Sequence, residues 1–147
     1  MVRAVLVDAN VLYSRALRDY LLDAADEEII AIAWSREILD EVPDDDDRHV
    51  LAAAIAAEAT ILCTANTKDF PEDVAAPLGF EVMTPDALLS LLIAEYPAQM
   101  LTVHTTSVAR LRGATDASTI AALQRAGAPV AAARMVPLLE AAGLALD

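Results

Sequence analysis

Apart from Arg3, Val2 to Val7 is an unbroken apolar run rich in β-branched residues, the composition of a central parallel strand covered on both faces. The run ends on Asp8. In open α/β sheets ligands bind beyond the carboxyl ends of the strands, so Asp8 stands where such folds carry out chemistry. Asn10 is then placed to cap the helix that follows. On this stretch alone a turn residue that merely closes the strand accounts for Asp8 equally well. The carboxylates later in the chain decide between the two readings.

After Asn10, Leu12, Ala16, Tyr20 and Ala24 with Tyr13, Leu17 and Leu21 form a broad apolar helical face, which puts Tyr13 and Tyr20 in the core. Asp26-Glu27-Glu28 makes a turn, and Ile29 to Ala33 is a short second strand or an extended connection. Trp34 is core or interface filler. Ser35 caps a short helix carrying Ile38, Leu39 and Val42, with Glu37, Asp40 and Glu41 along it. Pro43 and Asp44 to Asp47 then lead into an Ala-rich helix whose small side chains suit close packing on a sheet. Asp47 stands at its N-terminus, where an acid also complements the helix dipole. Arg48 and His49 read as a solvated first turn.

Thr60 to Thr64 is another buried strand, and it too runs into a polar cluster, Asn66-Thr67-Lys68-Asp69. Phe80 to Met83 is a further strand, and Thr84-Pro85-Asp86 opens a helix to Glu95 with a cap, a proline at the first position and an acid in the first turn. Alternating strands and helices predict a three-layer α/β/α sandwich with a parallel sheet. Beyond Pro97 only helices are expected, with stops at Gly113 and Gly127, a start at Thr115 or Asp116, and a last helix from Pro129 to Ala142 that Pro137 could kink. His104 reads as a helix-surface residue. The division is a sandwich domain over 1–96 and a helical C-terminal extension over 97–147.

Charge is uneven. Residues 1–96 hold twenty of the twenty-three acids and six of the ten Lys and Arg, within a net charge of −13. Such acidity argues against nonspecific polyanion binding unless cations intervene, and it suits a divalent metal, because hard cations want several carboxylate oxygens. No run reaches membrane-spanning length and no signal-like N-terminus is present, so a soluble cytoplasmic protein without membrane association is expected. Cys63, the single cysteine, lies in an apolar run and reads as a buried small hydrophobe.

Asp8 and Asp69 follow strands, Asp47 begins a helix and Glu41 ends one; strand C-termini and helix N-termini share one edge of a parallel α/β fold. Carboxylates crowded there repel one another unless a cation neutralises them. Oxygen-only ligation favours Mg²⁺ or Mn²⁺ over zinc.

Val5-Leu6-Val7-Asp8-Ala9-Asn10-Val11-Leu12, Ile38-Leu39-Asp40-Glu41-Val42, the segment from Asp46 to Ala54, and Thr64-Ala65-Asn66-Thr67-Lys68-Asp69-Phe70 resemble the successive acidic motifs of PIN-domain ribonucleases, especially VapC-type toxins of toxin–antitoxin pairs. The resemblance covers roughly residues 1–90. It implies a PIN-like fold, metal-dependent endoribonuclease activity, RNA as substrate and a cognate antitoxin protein as partner. It also implies Asp8, Glu41, Asp47 and Asp69 as the catalytic acidic quartet, with Asn10, Thr64 and Asn66 orienting ligands or water. Asp8 and Asp47 are expected as the principal metal ligands. The helical tail is similar to an extension carried by a subgroup of these toxins.

The chain departs from the pattern in one place. PIN domains usually insert a helical arm between the second and third acids, and that arm commonly contributes to a homodimer and to the substrate groove. Here only Val42 to Asp46 intervene. Six residue steps span at most about 20 Å, enough for both carboxylates to reach one cluster. Pro43 and four aspartates nonetheless suggest that the chain has closed over a missing segment there. Two other classes fit parts of the pattern: a catalytically inactive PIN-like binding module, and a receiver-like phospho-acceptor domain, whose adjacent acids at the first strand's end are broken by Ala9.

Overall fold

The computed structural model describes residues 3–33, 59–65, 67–69, 73, 76–79 and 81–144, apart from the side chains of Ala9, Asp69 and Leu78. Expectations for Trp34, Glu37, Asp40, Glu41, Asp47, Arg48, His49 and Asn66, and for a closed-up segment between Val42 and Asp46, lie outside the described residues.

The described chain is α/β, with a four-stranded, all-parallel sheet. Strands β1 (Arg3–Val7), β2 (Ile30–Ala33), β3 (Ile61–Cys63) and β4 (Glu81–Met83) are ordered β2-β1-β3-β4. Leu6 pairs with Ala33 on one side and Leu62 on the other, and Leu62 pairs in turn with Val82. The apolar opening run lies in the sheet's interior as its composition requires, with Val5, Leu6 and Val7 buried. Ile29 to Ala33, open between strand and connection in the sequence, supplies β2, and Phe80 is the one residue of the β4 expectation outside the description.

The order of the strands fixes where a site can form. The chain moves from β1 outward to β2, then returns to the opposite side of β1 to make β3. Connections therefore diverge between the carboxyl ends of β1 and β3, which opens a crevice at that point.

A single long helix after Asn10 is not what forms. A one-turn helix α1 (Ala9–Leu12) stops at Tyr13, and α2 (Arg15–Asp26) starts afresh with Ser14 as its cap, whose hydroxyl accepts from the Leu17 amide at 3.3 Å. The break turns Tyr13 outward, 79% exposed, while Tyr20 stays fully buried. α2 ends through Glu28, which takes a left-handed φ of 62°.

Thr84 caps α3 (Pro85–Glu95) by accepting from the Ala87 amide at 3.0 Å, and Pro85 occupies the first helical position. Asp86 does more than complement its own helix dipole. Its carboxylate accepts from the amides of Val130 and Ala131 at 3.3 and 2.7 Å, capping α6 (Pro129–Ala141), whose own N-cap residue is Ala128. Between them run α4 (Pro97–Arg110) and α5 (Asp116–Arg125), the latter opened by a reciprocal capping box of Thr115 and Ser118. Gly127 follows α5 at φ 92°, the left-handed conformation for which glycine is suited. α6 continues through Pro137 without interruption. One hydrophobic cluster joins Val5 and Val7 of β1, Tyr20 and Leu21 of α2, Leu92 of α3, Val103 of α4, Leu123 of α5 and Met135 of α6.

Candidate active site

At the carboxyl end of β1, the Asp8 amide still donates to the Cys63 carbonyl of β3 at 2.9 Å, and the Thr64 amide to the Met83 carbonyl of β4 at 3.0 Å. Sheet hydrogen bonding thus extends one residue past each strand, holding Asp8 and Thr64 side by side at the ends of adjacent strands. The Thr64 hydroxyl donates to Asp8 Oδ2 at 2.8 Å, with Asp8 8% exposed and Thr64 completely buried. A buried hydrogen bond to a carboxylate is among the stronger kinds, and it fixes the acid's orientation.

Asp8 occupies the cap position of α1 in an extended conformation (φ −68°, ψ 143°), yet its side chain makes no capping bond. The cap expected of Asn10 does not form either, because Asn10 already lies in the first turn of α1. Instead Asn10 Oδ1 is buried and has no hydrogen-bond partner among the described residues. An unpaired buried carbonyl oxygen is costly, so this atom, on the residue two past Asp8, is a fitting ligand or orienting group for a hard cation or its water. Cys63, directly below, is buried as expected, and burial together with the Asp8 charge pushes its thiol up to about 12. It remains a neutral packing residue.

Of the residues singled out from sequence, the structure brings Asp8 and Thr64 into contact, with Asn10 two residues further along in α1. Asp69 closes the 3₁₀ turn Thr67–Asp69 beyond β3, on the same edge of the sheet, and its side chain is among those not described. Glu41, Asp47 and Asn66 lie outside the described residues. Among the described residues no group of three His, Cys, Asp or Glu side chains could hold a metal.

Two charged groupings elsewhere were not foreseen. His104 is completely buried rather than on a helix surface. Its Nδ1 lies 2.5 Å from the Tyr20 hydroxyl and its Nε2 2.9 Å from Asp116 Oδ1. A carboxylate can only accept, so Nε2 carries the proton and Nδ1 accepts from Tyr20. Burial holds the imidazole pKa below its usual value, the Asp116 carboxylate only partly offsetting it, and burial likewise raises the Tyr20 phenol. The apolar face of α4 carried the missed signal: His104 lies four residues after Met100 and beside Val103, both fully buried. The second grouping is Arg110, which forks onto Asp23 at 2.6 and 3.0 Å and tightens α4 against α2. It borders a cavity of about 510 Å³ lined also by Asp19, Asp26 and Ile32, and neither Asp8, Asn10 nor Thr64 lines it.

Comparison with known proteins adds one partial likeness. A stretch of 43 residues is 44% identical to the protein named Putative ribonuclease VapC50 of Mycobacterium tuberculosis, covering 29% of this chain and 25% of that protein. The match therefore spans about a quarter of that relative's length. No family model and no solved structure matches the chain.

Proposed function

We propose that this chain is a PIN-like, metal-dependent endoribonuclease, the toxin of a toxin–antitoxin pair. The observation that carries the reading is the Asp8–Thr64 pair at the switch point of a parallel sheet, with the orphaned Asn10 oxygen on the residue two past Asp8. The partial identity to a protein named as a ribonuclease supports the same reaction class.

Asp8 and Asp47 would hold Mg²⁺ or Mn²⁺, and Glu41 and Asp69 would complete the acidic pocket. When bound, the cation would acidify water and offset the charge that develops on a phosphate under in-line attack. The chain's own contribution is positional. Thr64 holds the Asp8 carboxylate in one rotamer, and Asn10 supplies an oxygen that orients water. The buried setting of Asp8 strengthens every electrostatic interaction made there. The proposed partners are RNA as substrate, a cognate antitoxin protein and a second copy of the chain, in the cytoplasm. Among the described residues no helix is long and apolar enough to cross a membrane.

Incubating the full chain with labelled RNA in Mg²⁺, in Mn²⁺ and in chelator tests the reading. Endonucleolytic cleavage in either metal that chelator abolishes is the expected outcome. RNA left intact under all three conditions would replace the enzyme with a binding module.

A further inference from the structure

Among the described residues three large hydrophobic side chains are markedly exposed, and of these Tyr13, at 79%, belongs to the carboxyl edge of the sheet; Leu111 and Val130 belong to the helical tail. Tyr13 is exposed because of how the local chain folds, since Ser14 caps α2 and ends α1 one turn after Asp8. Five residues of helical path separate Tyr13 from Asp8, an axial advance of about 7–8 Å.

Cations collect on the same edge. Arg18 is exposed and reaches back across the break to the Leu12 carbonyl at 3.4 Å, which keeps its guanidinium beside the residue preceding Tyr13. Among the described residues Arg15, half-exposed, has only the i,i+4 contact with Asp19 at 3.5 Å. Lys68 is exposed on the turn that follows β3. By contrast Arg3 is forked onto Glu95 and Arg110 onto Asp23, and the other exposed arginines among the described residues, Arg112, Arg125 and Arg134, belong to the helical tail. In a chain of net charge −13, two exposed arginines within five residues of one exposed aromatic ring, all on the segment that follows Asp8, suit an anionic, planar partner.

We infer that Tyr13 is a stacking platform for an unpaired base next to the reacting phosphate, with Arg15 and Arg18 holding the flanking phosphates of a single-stranded RNA. The inference rests on the ribonuclease reading and deepens it by naming the residues of this chain that grip the strand. Single strands are favoured because a ring on an exposed turn can stack only on a base that is not already stacked in a duplex. Arginine adds both charge and a planar guanidinium suited to phosphate.

The test is fluorescence anisotropy of a labelled, mixed-sequence single-stranded RNA of about a dozen nucleotides. It is run in Ca²⁺, which supplies charge without the strict octahedral geometry of Mg²⁺, and paired with cleavage of the same RNA in Mg²⁺. Tyr13→Ala should weaken binding about tenfold, whereas Tyr13→Phe, which keeps the ring, should stay within about twofold of the unaltered chain. Arg18→Ala should weaken binding and reduce the slope of log affinity against log salt by about 0.7. Equal melting temperatures and equal mass by light scattering would show these variants folded and unchanged in assembly. Tyr13→Ala binding like the unaltered chain, Tyr13→Phe as weak as Tyr13→Ala, or a change of mass on removing the ring would overturn the inference. Cleavage that persists with undiminished Tyr13→Ala binding would sink it and spare the ribonuclease reading. Ring-dependent binding without any cleavage would do the reverse, and an unaltered chain that neither binds nor cuts would end both.

Discussion

The Tyr20–His104–Asp116 chain makes the protein's stability depend on pH in a direction that can be worked out. His104 is fully buried, and burial lowers its pKa below the ordinary 6.5. The unfolded chain therefore takes up a proton before the folded chain does. The stability associated with neutral His104 is fully present above about pH 6.5 and is lost as pH falls from there toward the depressed folded value. One proton of difference gives a slope of up to about 1.4 kcal/mol per pH unit. Tyr20→Phe, at neutral pH, leaves Nδ1 buried without its 2.5 Å partner, a loss of about 1–3 kcal/mol. In a chain of this size that lowers Tm by roughly 3–10 °C. Urea unfolding between pH 7.5 and 5.5, a window above most carboxylate titrations, would read both effects. His104→Gln, able to hydrogen-bond but not to titrate, should lower stability at pH 7.5 and flatten the slope. A flat profile for the unaltered chain below pH 6.5, or a slope that survives His104→Gln, would refute the reasoning.

Thr64→Val keeps the shape of a completely buried side chain but removes the donor to Asp8, so stability should fall by about 1–3 kcal/mol, with RNA cleavage, where present, falling about tenfold; denaturant melts and initial rates check the two. Arg110→Ala strands Asp23, whose side chain is 3% exposed, while Arg110 itself is 41% exposed; screening reduces the loss from the buried-pair range to about 1–2 kcal/mol. Chemical denaturation at low and high salt checks this, with a smaller difference expected at high salt.

Much of the fold was legible because it rests on short-range chemistry. The apolar runs Val5 to Val7 and Ile61 to Cys63 have the composition of doubly covered strands, and the Thr84-Pro85-Asp86 and Thr115-to-Ser118 signatures begin helices where local capping predicts. What escaped depends on distance in sequence or on competition between signals. The apolar period running through Tyr13 hid the stronger instruction from Ser14, whose cap restarts the helix. Tyr20 and His104 lie 84 residues apart, and Asp86 and Ala131 lie 45 apart, so neither partnership leaves a local trace. Within the candidate site, Asp8 was legible from its position after a buried strand. The Thr64 hydroxyl as its partner follows only from the register that sets Val7 beside Cys63. Asn10 was misread as a cap because a residue three positions past a strand looks like one until the helix is seen to start at Ala9.

Asp8→Asn gives the most direct measurement. It preserves the size of the side chain and an acceptor for the Thr64 hydroxyl while removing the charge on which the proposed metal site depends. Endonucleolytic cleavage of labelled RNA should be metal-dependent in the unaltered chain and slower by about 10²-fold or more in the variant, at matched folding by circular dichroism. Full metal-dependent cleavage by Asp8→Asn would contradict the account.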